Sequence, residues 1–133
     1  MPINGMTLLS GATNAATGGT SKTFSVDGLQ VKSGIHVSDL SVADFRLRPG
    51  ITFKSRMPSK RPDGTWQKGK FSATLTMPKL LADGKTVEYP LGRIELEPHA
   101  ENTDAELVAI LCYMAQLCFD TDTVPFFKTG SLA

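Results

Sequence analysis

The chain has 133 residues, of which 41% are hydrophobic, and its formal net charge at pH 7 is +1. This length fits one compact domain over residues 1–133, and the composition excludes a long disordered tail. The chain contains no apolar run of the roughly 18 residues that a membrane span requires and no signal-peptide pattern, so we expect a soluble cytoplasmic protein with no membrane partner.

The charges are distributed unevenly along the chain. Residues 46–79 contain nine Lys or Arg and one Asp or Glu. Residues 80–133 contain three Lys or Arg and nine Asp or Glu. Such a basic block is most often a solvated surface. In a nearly neutral protein it also indicates a polyanionic partner, and we favour nucleic acid.

Turn residues divide the first 98 residues into short segments typical of an antiparallel meander. We expect an N-terminal β-hairpin region over about residues 1–40 and an antiparallel sheet over residues 41–98. Pro49 and Gly50 suit the centre of a type II turn, so the segments on either side, ADFRLR and ITFKSRM, are predicted to form a hairpin. The predicted strand segments are, in chain order, TFSV, LQV, ADFRLR, ITFKSRM, KFSATLTM, TVEY and RIELE.

Two of these segments, ITFKSRM and KFSATLTM, alternate between apolar and polar residues, which predicts strands with one face of each kind. If the strands are neighbours, their polar positions share one face of the sheet. That face is either an ordinary solvated surface or an RNA surface whose cations meet phosphates and whose hydroxyls meet unpaired bases, and the basic block favours RNA. The polar positions are Thr52, Lys54 and Arg56 in the first strand and Lys70, Ser72 and Thr74 in the second.

Two helices are predicted in residues 103–133. Thr103 and Glu106 form a capping box, and the helix that it begins runs about four turns to near Phe119. A shorter helix is expected over roughly residues 123–131.

The longer helix is apolar on nearly all sides, which is more than one sheet would cover. We therefore predict that it packs against a second copy of the chain in a homodimer. The alternative is that the N-terminal hairpin folds back over the helix. The residues predicted at the dimer interface are Leu107, Ile110, Leu111 and Met114.

The sequence offers no arrangement typical of an enzyme. It lacks a phosphate-binding glycine loop, a paired-histidine metal motif and a nucleophile elbow, and His36 and His99 are far apart in the chain. Cys112 and Cys118 leave a helix on different faces, so we expect reduced thiols rather than a disulfide or a metal site. We predict no catalytic residues, no metal and no cofactor.

Four segments resemble, in order and approximate spacing, the coat proteins of single-stranded RNA bacteriophages, the leviviruses. They are ITFKSRMPSKR, KFSATLTMPKL, VEYP and ENTDAELVAIL, and the resemblance covers about residues 45–133. It implies an α+β fold with an N-terminal β-hairpin, a five-stranded antiparallel sheet and two C-terminal helices, in which two protomers interlock as a homodimer with one continuous sheet.

The resemblance also implies a function. Dimers would assemble in the bacterial cytoplasm into the icosahedral shell of the virion, around the single-stranded genomic RNA. The sheet would bind an RNA stem-loop, which marks the genome for packaging and represses translation of the replicase. The alternative is a small dimeric RNA-binding repressor that forms no shell.

Carried over position by position, the resemblance assigns the six polar strand residues to the RNA surface, and Tyr89 and Arg93 are further candidates. Tyr89 either stacks on a base from the last long strand or lies in the loop before that strand, at the capsid symmetry axes. Arg93 and Glu95 lie on the outward parity of RIELE, where Arg93 joins the RNA surface and Glu95 needs a cationic partner. Trp66, in a longer loop, either stacks on RNA or anchors a protein contact, and the protein contact is the commoner role of a loop tryptophan.

Overall fold

The computed structural model describes residues 4–12 and 16–131. They belong to two compact units. The sheet unit consists of residues 20–100, and the helical unit consists of residues 101–131 together with the described residues up to 19. The part of the predicted N-terminal hairpin region that falls on residues 1–3 and 13–15 lies outside the described residues.

The sheet unit contains one large sheet and two short hairpins. The large sheet has five antiparallel strands in the order β1-β2-β3-β6-β9, which confirms the predicted architecture. The pairs β4-β5 and β7-β8 form the two separate hairpins. In chain order the strands are Ser25–Val26 (β1), Gly34–Ser38 (β2), Gly50–Arg56 (β3), Ser59–Lys60 (β4), Trp66–Gln67 (β5), Lys70–Thr76 (β6), Lys79–Leu80 (β7), Val87–Glu88 (β8) and Leu91–Leu96 (β9).

The two alternating segments are neighbours in the large sheet. Strand β3 pairs with β6 so that Thr52 lies opposite Thr74 and Lys54 opposite Ser72. Directly opposed residues of an antiparallel pair point to the same face, so the register confirms that the polar positions of both strands lie together. The opposite face carries the apolar parity, which includes Phe53 and Leu75.

The predicted hairpin between ADFRLR and ITFKSRM is wrong. Residues Phe45–Leu47 form a 3-10 helix, because the Asp44 carboxylate caps its first turn by accepting the backbone N–H of Arg46 at 3.0 Å. Gly50 is the first residue of β3 rather than a turn residue. A side chain there would meet the ring of His36, since an added Cβ would lie 2.8 Å from its Nε2.

The partner of β3 on the other side is β2, which the sequence analysis did not predict as a strand. The predicted strand LQV, residues 29–31, instead lies in the connection between β1 and β2, where the Asp27 carboxylate accepts the backbone N–H of Leu29 at 3.1 Å. Strands β1 and β2 pair as a hairpin within the large sheet, so the sheet includes residues before position 41.

The helical unit contains the two predicted helices, Asp104–Leu117 (α1) and Val124–Thr129 (α2). Thr103 caps α1 as predicted, since its hydroxyl accepts the backbone N–H of Glu106 at 3.3 Å. The Glu106 carboxylate accepts instead from the Asn102 side chain at 2.7 Å. Gly130 ends α2 in the left-handed conformation, with φ of 73°.

An N-terminal segment lies on α1. The side-chain amide of Gln116 accepts the Leu9 N–H at 2.8 Å and donates to the Leu9 carbonyl at 2.7 Å. The thiol of Cys112 lies 3.3 Å from the Ala12 carbonyl oxygen. This segment therefore covers part of the helix, as one alternative of the sequence analysis held, although residues 4–12 contain no strand.

The described protomer has almost no closed hydrophobic core. Among the described residues, Cys112, 9% exposed, and Pro98 are the apolar side chains that are buried. Large apolar side chains remain open on both units, including Phe53 and Ile94 of the sheet and Val108 and Leu111 of α1. The chain thus exposes surface that most folded domains bury.

Candidate nucleic-acid interface

The polar face of the large sheet presents rows of opposed side chains across three strands. One row runs Thr52, Thr74 and Arg93, and the next runs Lys54, Ser72 and Glu95. A third row pairs Arg56 with Lys70 at the end of the two long strands. Each row follows from the period-two alternation of its strands, so the sequence pattern determines which side chains meet.

These rows line one shallow depression with a volume of about 610 Å³. It brings together seven of the eight residues predicted to contact RNA. The residues that line it are Ser33, Thr52, Lys54, Ser55, Arg56, Lys70, Ser72, Thr74, Arg93 and Glu95. Four of these are cations and one is an anion, so the depression favours an anionic ligand.

Two contacts within the depression orient its charged groups. The Lys70 ammonium lies 3.6 Å from a carboxylate oxygen of Glu95, which is the cationic partner that Glu95 was expected to need. The Arg56 guanidinium donates to the backbone carbonyl of Lys68 at 3.3 Å. A guanidinium has five donors, so Arg56 retains others for a ligand. Lys54 and Arg93 supply the remaining positive charge of the depression.

Tyr89 lies outside this group. It follows β8 and precedes β9, so it lies in the link before the last long strand and not on that strand. It lines a different depression of about 370 Å³ together with Arg46 and Arg48, two cations that the sequence analysis did not assign to any site. His36, which the sequence analysis set aside as isolated, lines it too.

His36 is held by a neighbouring carboxylate. Its Nδ1 lies 2.8 Å from Asp27 Oδ2, which also accepts the Ser38 hydroxyl at 3.0 Å. The Leu29 N–H, with the Ser38 hydroxyl and the His36 ring, lowers the pKa of Asp27 below its usual value. Because His36 lies opposite Thr52, it extends the first polar row toward β1. A lone histidine gives no local sequence signal of such a position.

The residues predicted at a dimer interface are on α1, as expected. Ile110 and Leu111 are exposed in the protomer, and Leu107 and Met114 are half-buried. The opposite part of the helix carries Cys112 and Gln116, which contact the N-terminal segment.

Neither Cys112 nor Cys118 forms a disulfide bond in the described part of the chain. Within residues 4–12 and 16–131, no group of three or more His, Cys, Asp or Glu side chains is placed to hold a metal ion. Over the same ranges, no helix has the length and hydropathy to span a bilayer.

Comparison with solved structures identifies the family. The virus-like particle of bacteriophage GQ-907 matches with a TM-score of 0.90 and 36% sequence identity, over 98% of this chain and 99% of that one. The chain belongs to the coat proteins of RNA bacteriophages. The virus-like particle of bacteriophage GQ-112 shares the fold, with a TM-score of 0.52 and 15% identity over 90% of this chain and 94% of that one.

Comparisons of the sequence alone find no match for this coat protein. No protein-family model matches it, and no curated protein matches it. The family relation therefore depends on the fold together with the 36% identity to the GQ-907 particle protein.

Proposed function

We propose that this coat protein assembles as homodimers into an icosahedral shell around single-stranded genomic RNA, and that its polar sheet face binds an RNA stem-loop. Binding at the replicase start would repress translation of the replicase and mark the genome for packaging. The observation that carries the RNA part of this proposal is the depression in which Thr52, Lys54, Arg56, Ser72 and Thr74 meet.

The exposed apolar surface supports assembly. Ile94 of the large sheet is 52% exposed and Leu111 of α1 is 45% exposed, although large aliphatic side chains are normally buried. Burial of apolar surface contributes about 25 cal/mol per Å², so a second copy that covers these faces would add the stability that the protomer lacks. The virus-like particle of bacteriophage GQ-907, similar over nearly the whole chain, supports a shell as the final state.

The chemistry of the depression supports RNA. Its cations suit phosphate oxygens, and its hydroxyls can donate to or accept from base edges. A two-fold dimer presents each of these residues twice, so a stem-loop that crosses the axis can contact one copy through phosphate and the other through a base. The four cations beside one carboxylate favour an anionic ligand over an ordinary solvated face.

The assembly proposal is tested by expressing the protein alone and measuring particle size by gel filtration and negative-stain imaging. We expect megadalton particles that contain RNA. Elution only as a dimer, at about twice the protomer mass of 14.3 kDa, would contradict the shell and leave the dimeric repressor.

The RNA proposal is tested by titrating dimers with the replicase-start hairpin of the phage and a loop-altered control at several salt concentrations. Arg56→Ala should weaken binding by about 1 to 3 kcal/mol and reduce the salt slope by about one. Thr74→Ala should reduce discrimination between the two RNAs while leaving the salt slope unchanged, because it removes no charge.

The matched control is Lys85→Ala, which removes an exposed cation from the turn between β7 and β8. It should bind both RNAs as the unchanged protein does. If Arg56→Ala and Thr74→Ala also bind both RNAs normally, the polar face is merely solvated and the RNA is held elsewhere.

A further inference from the structure

The hairpin formed by residues 57–69, here the Trp66 hairpin, is an ordered projection next to the depression. Its strands pair Ser59 with Gln67 and Lys60 with Trp66. The turn is closed by the Arg61 N–H, which donates to the Thr65 carbonyl at 2.7 Å. These contacts define the hairpin and its turn.

The base of the Trp66 hairpin is fixed to the edge of the depression. Arg56, which lines the depression, donates to the carbonyl of Lys68 in the hairpin. The Gly69 N–H donates to the Pro98 carbonyl at 2.9 Å, and an added Cβ at Gly69 would lie 2.9 Å from the Arg56 carbonyl oxygen. Lys60 follows Arg56 by four positions, so at most about 14 Å of chain separates the two residues.

One face of the hairpin combines an aromatic ring with a cation. Trp66 is 39% exposed, and Lys60 lies directly opposite it in the strand pair, so both side chains leave on the same face. Arg61 and Lys68, which are close to the pair in the chain, are exposed as well. Exposed indoles flanked by cations suit unpaired nucleotides, because a base stacks on the ring while the neighbouring phosphates meet the positive charges.

The single acidic side chain of the hairpin is engaged within its own turn. Asp63 Oδ1 accepts the Thr65 N–H at 2.9 Å and the Thr65 hydroxyl at 2.6 Å. Three exposed cations therefore dominate the charge of the hairpin. Protein–protein interfaces are enriched in tryptophan and arginine but depleted in lysine, so the two lysines of the hairpin favour a polyanion over a protein as its ligand.

We propose that the Trp66 hairpin is a second RNA contact, in which an unpaired base stacks on Trp66 while Lys60 and Arg61 neutralise the adjoining phosphates. Its ligand class is single-stranded RNA of any sequence, since every base has a face that can stack. The proposal extends the proposed function, because the hairpin would hold the strand that enters or leaves the stem-loop on the sheet.

Trp66 is the one tryptophan of the chain, so its fluorescence reports on this hairpin alone. The experiment titrates full-length protein dimers, free of RNA, with a ten-nucleotide oligouridylate and with a blunt stem-loop that has no single-stranded flank. We expect saturable quenching by the oligouridylate. Extending the stem-loop with a uridine flank should add quenching that the blunt stem-loop lacks.

Substitutions test the stacking and the charge separately. Trp66→Ala should weaken oligouridylate binding about 5- to 150-fold, the equivalent of one stacked base, whereas Trp66→Phe should retain most of the affinity. The double variant Lys60→Gln and Arg61→Gln should reduce the salt slope by about one to two. The control Leu29→Ala removes another exposed apolar side chain of the sheet unit and should change nothing.

The outcomes distinguish this inference from the proposed function. If Arg56→Ala weakens stem-loop binding but the oligouridylate neither quenches Trp66 nor depends on it, the hairpin inference is wrong and the sheet interface stands. If Trp66 emission shifts only on shell assembly without RNA, the hairpin is a protein contact and the inference is overturned. Quenching by the oligouridylate in the Arg56→Ala variant supports the hairpin even where the sheet interface fails.

Discussion

Gln116 should act as a clamp that holds the N-terminal segment on α1, and Gln116→Leu is expected to release it. Both polar atoms of its side chain bond the backbone of Leu9, at 2.8 and 2.7 Å, in the manner of a neighbouring strand. Leucine has a similar size and good helix propensity but no polar atoms, so the substitution removes these bonds without breaking α1. The segment that shields the Cys112 thiol should then open more often.

The magnitude follows from the two lost bonds. Each contributes about 0.5 to 1.5 kcal/mol net, because the freed Leu9 groups turn to water, so the closed state loses about 1 to 3 kcal/mol. That loss raises the open population about 5- to 150-fold. Cys112 is buried and Cys118 is exposed, so a thiol reagent should modify Cys118 at once and Cys112 only from the open state.

The assay measures the rate of Cys112 modification in a Cys118→Ser background. Gel filtration verifies that the compared variants have the same assembly state. Gln116→Leu should raise that rate 5- to 150-fold, while Gln30→Leu, an exposed glutamine of the sheet unit, should leave it unchanged. An unchanged rate in Gln116→Leu would refute the clamp, and burial of Cys112 would then depend on other contacts.

Two further predictions concern local geometry in the sheet unit. Hydrogen bonds from Thr86, of which the hydroxyl's contributes most, lower the pKa of Asp83 to about 2. The turn that these bonds close, between β7 and β8, should therefore be intact above about pH 4 and lost as the pH falls toward 2. The Thr86 amide resonance should titrate in that window, and Asp83→Asn should abolish the titration. Gly34→Ala would drive a methyl group into the Phe53 carbonyl and should lower the free energy of unfolding by about 1 to 3 kcal/mol in urea, whereas Gly92→Ala has open space and should cost less than about 0.5 kcal/mol.

Sequence patterns predicted the parts of the fold in which local preference and long-range pairing agree. The polar parity of β3 and β6 required only that alternating side chains take opposite faces, and the register Thr52–Thr74 follows when the two strands are neighbours. The Thr103 cap is similarly local, because a hydroxyl within reach of the Glu106 N–H is sufficient to start a helix. Most residues of the candidate interface could therefore be predicted from the sequence.

The predictions failed where a short-range polar contact competed with strand formation. ADFRLR has the apolar and polar alternation of a strand, but the Asp44 carboxylate satisfies the backbone of the next residues and favours a helical turn. In the same way Asp27 bonds the Leu29 N–H and holds LQV out of the sheet. The apolar and polar alternation of a segment does not show whether such a local hydrogen bond is more stable than pairing in a sheet.

The N-terminal segment could not be placed from sequence for a different reason. Its polar anchor is 107 residues away, since Leu9 bonds Gln116, and no local pattern marks a glutamine in a helix as a backbone partner. Tyr89 illustrates the same limit: the end of β8 and the start of β9 decide whether it lies on a strand, and such boundaries depend on pairing rather than on composition.

The two faces of the large sheet have different proposed roles, assembly on the apolar face and RNA binding on the polar face. In β3 the residues that face the depression, such as Lys54, are separated by one position from those that face away, such as Phe53, which is 44% exposed. If a second copy covers the apolar face, then substitutions at Phe53 or Ile94 alter concentration-dependent stability, whereas those at Lys54 or Arg93 alter RNA affinity at constant stability. The same strands can thus keep their assembly surface while the RNA surface adapts to a different stem-loop, since the two sets of side chains share a backbone but not a face.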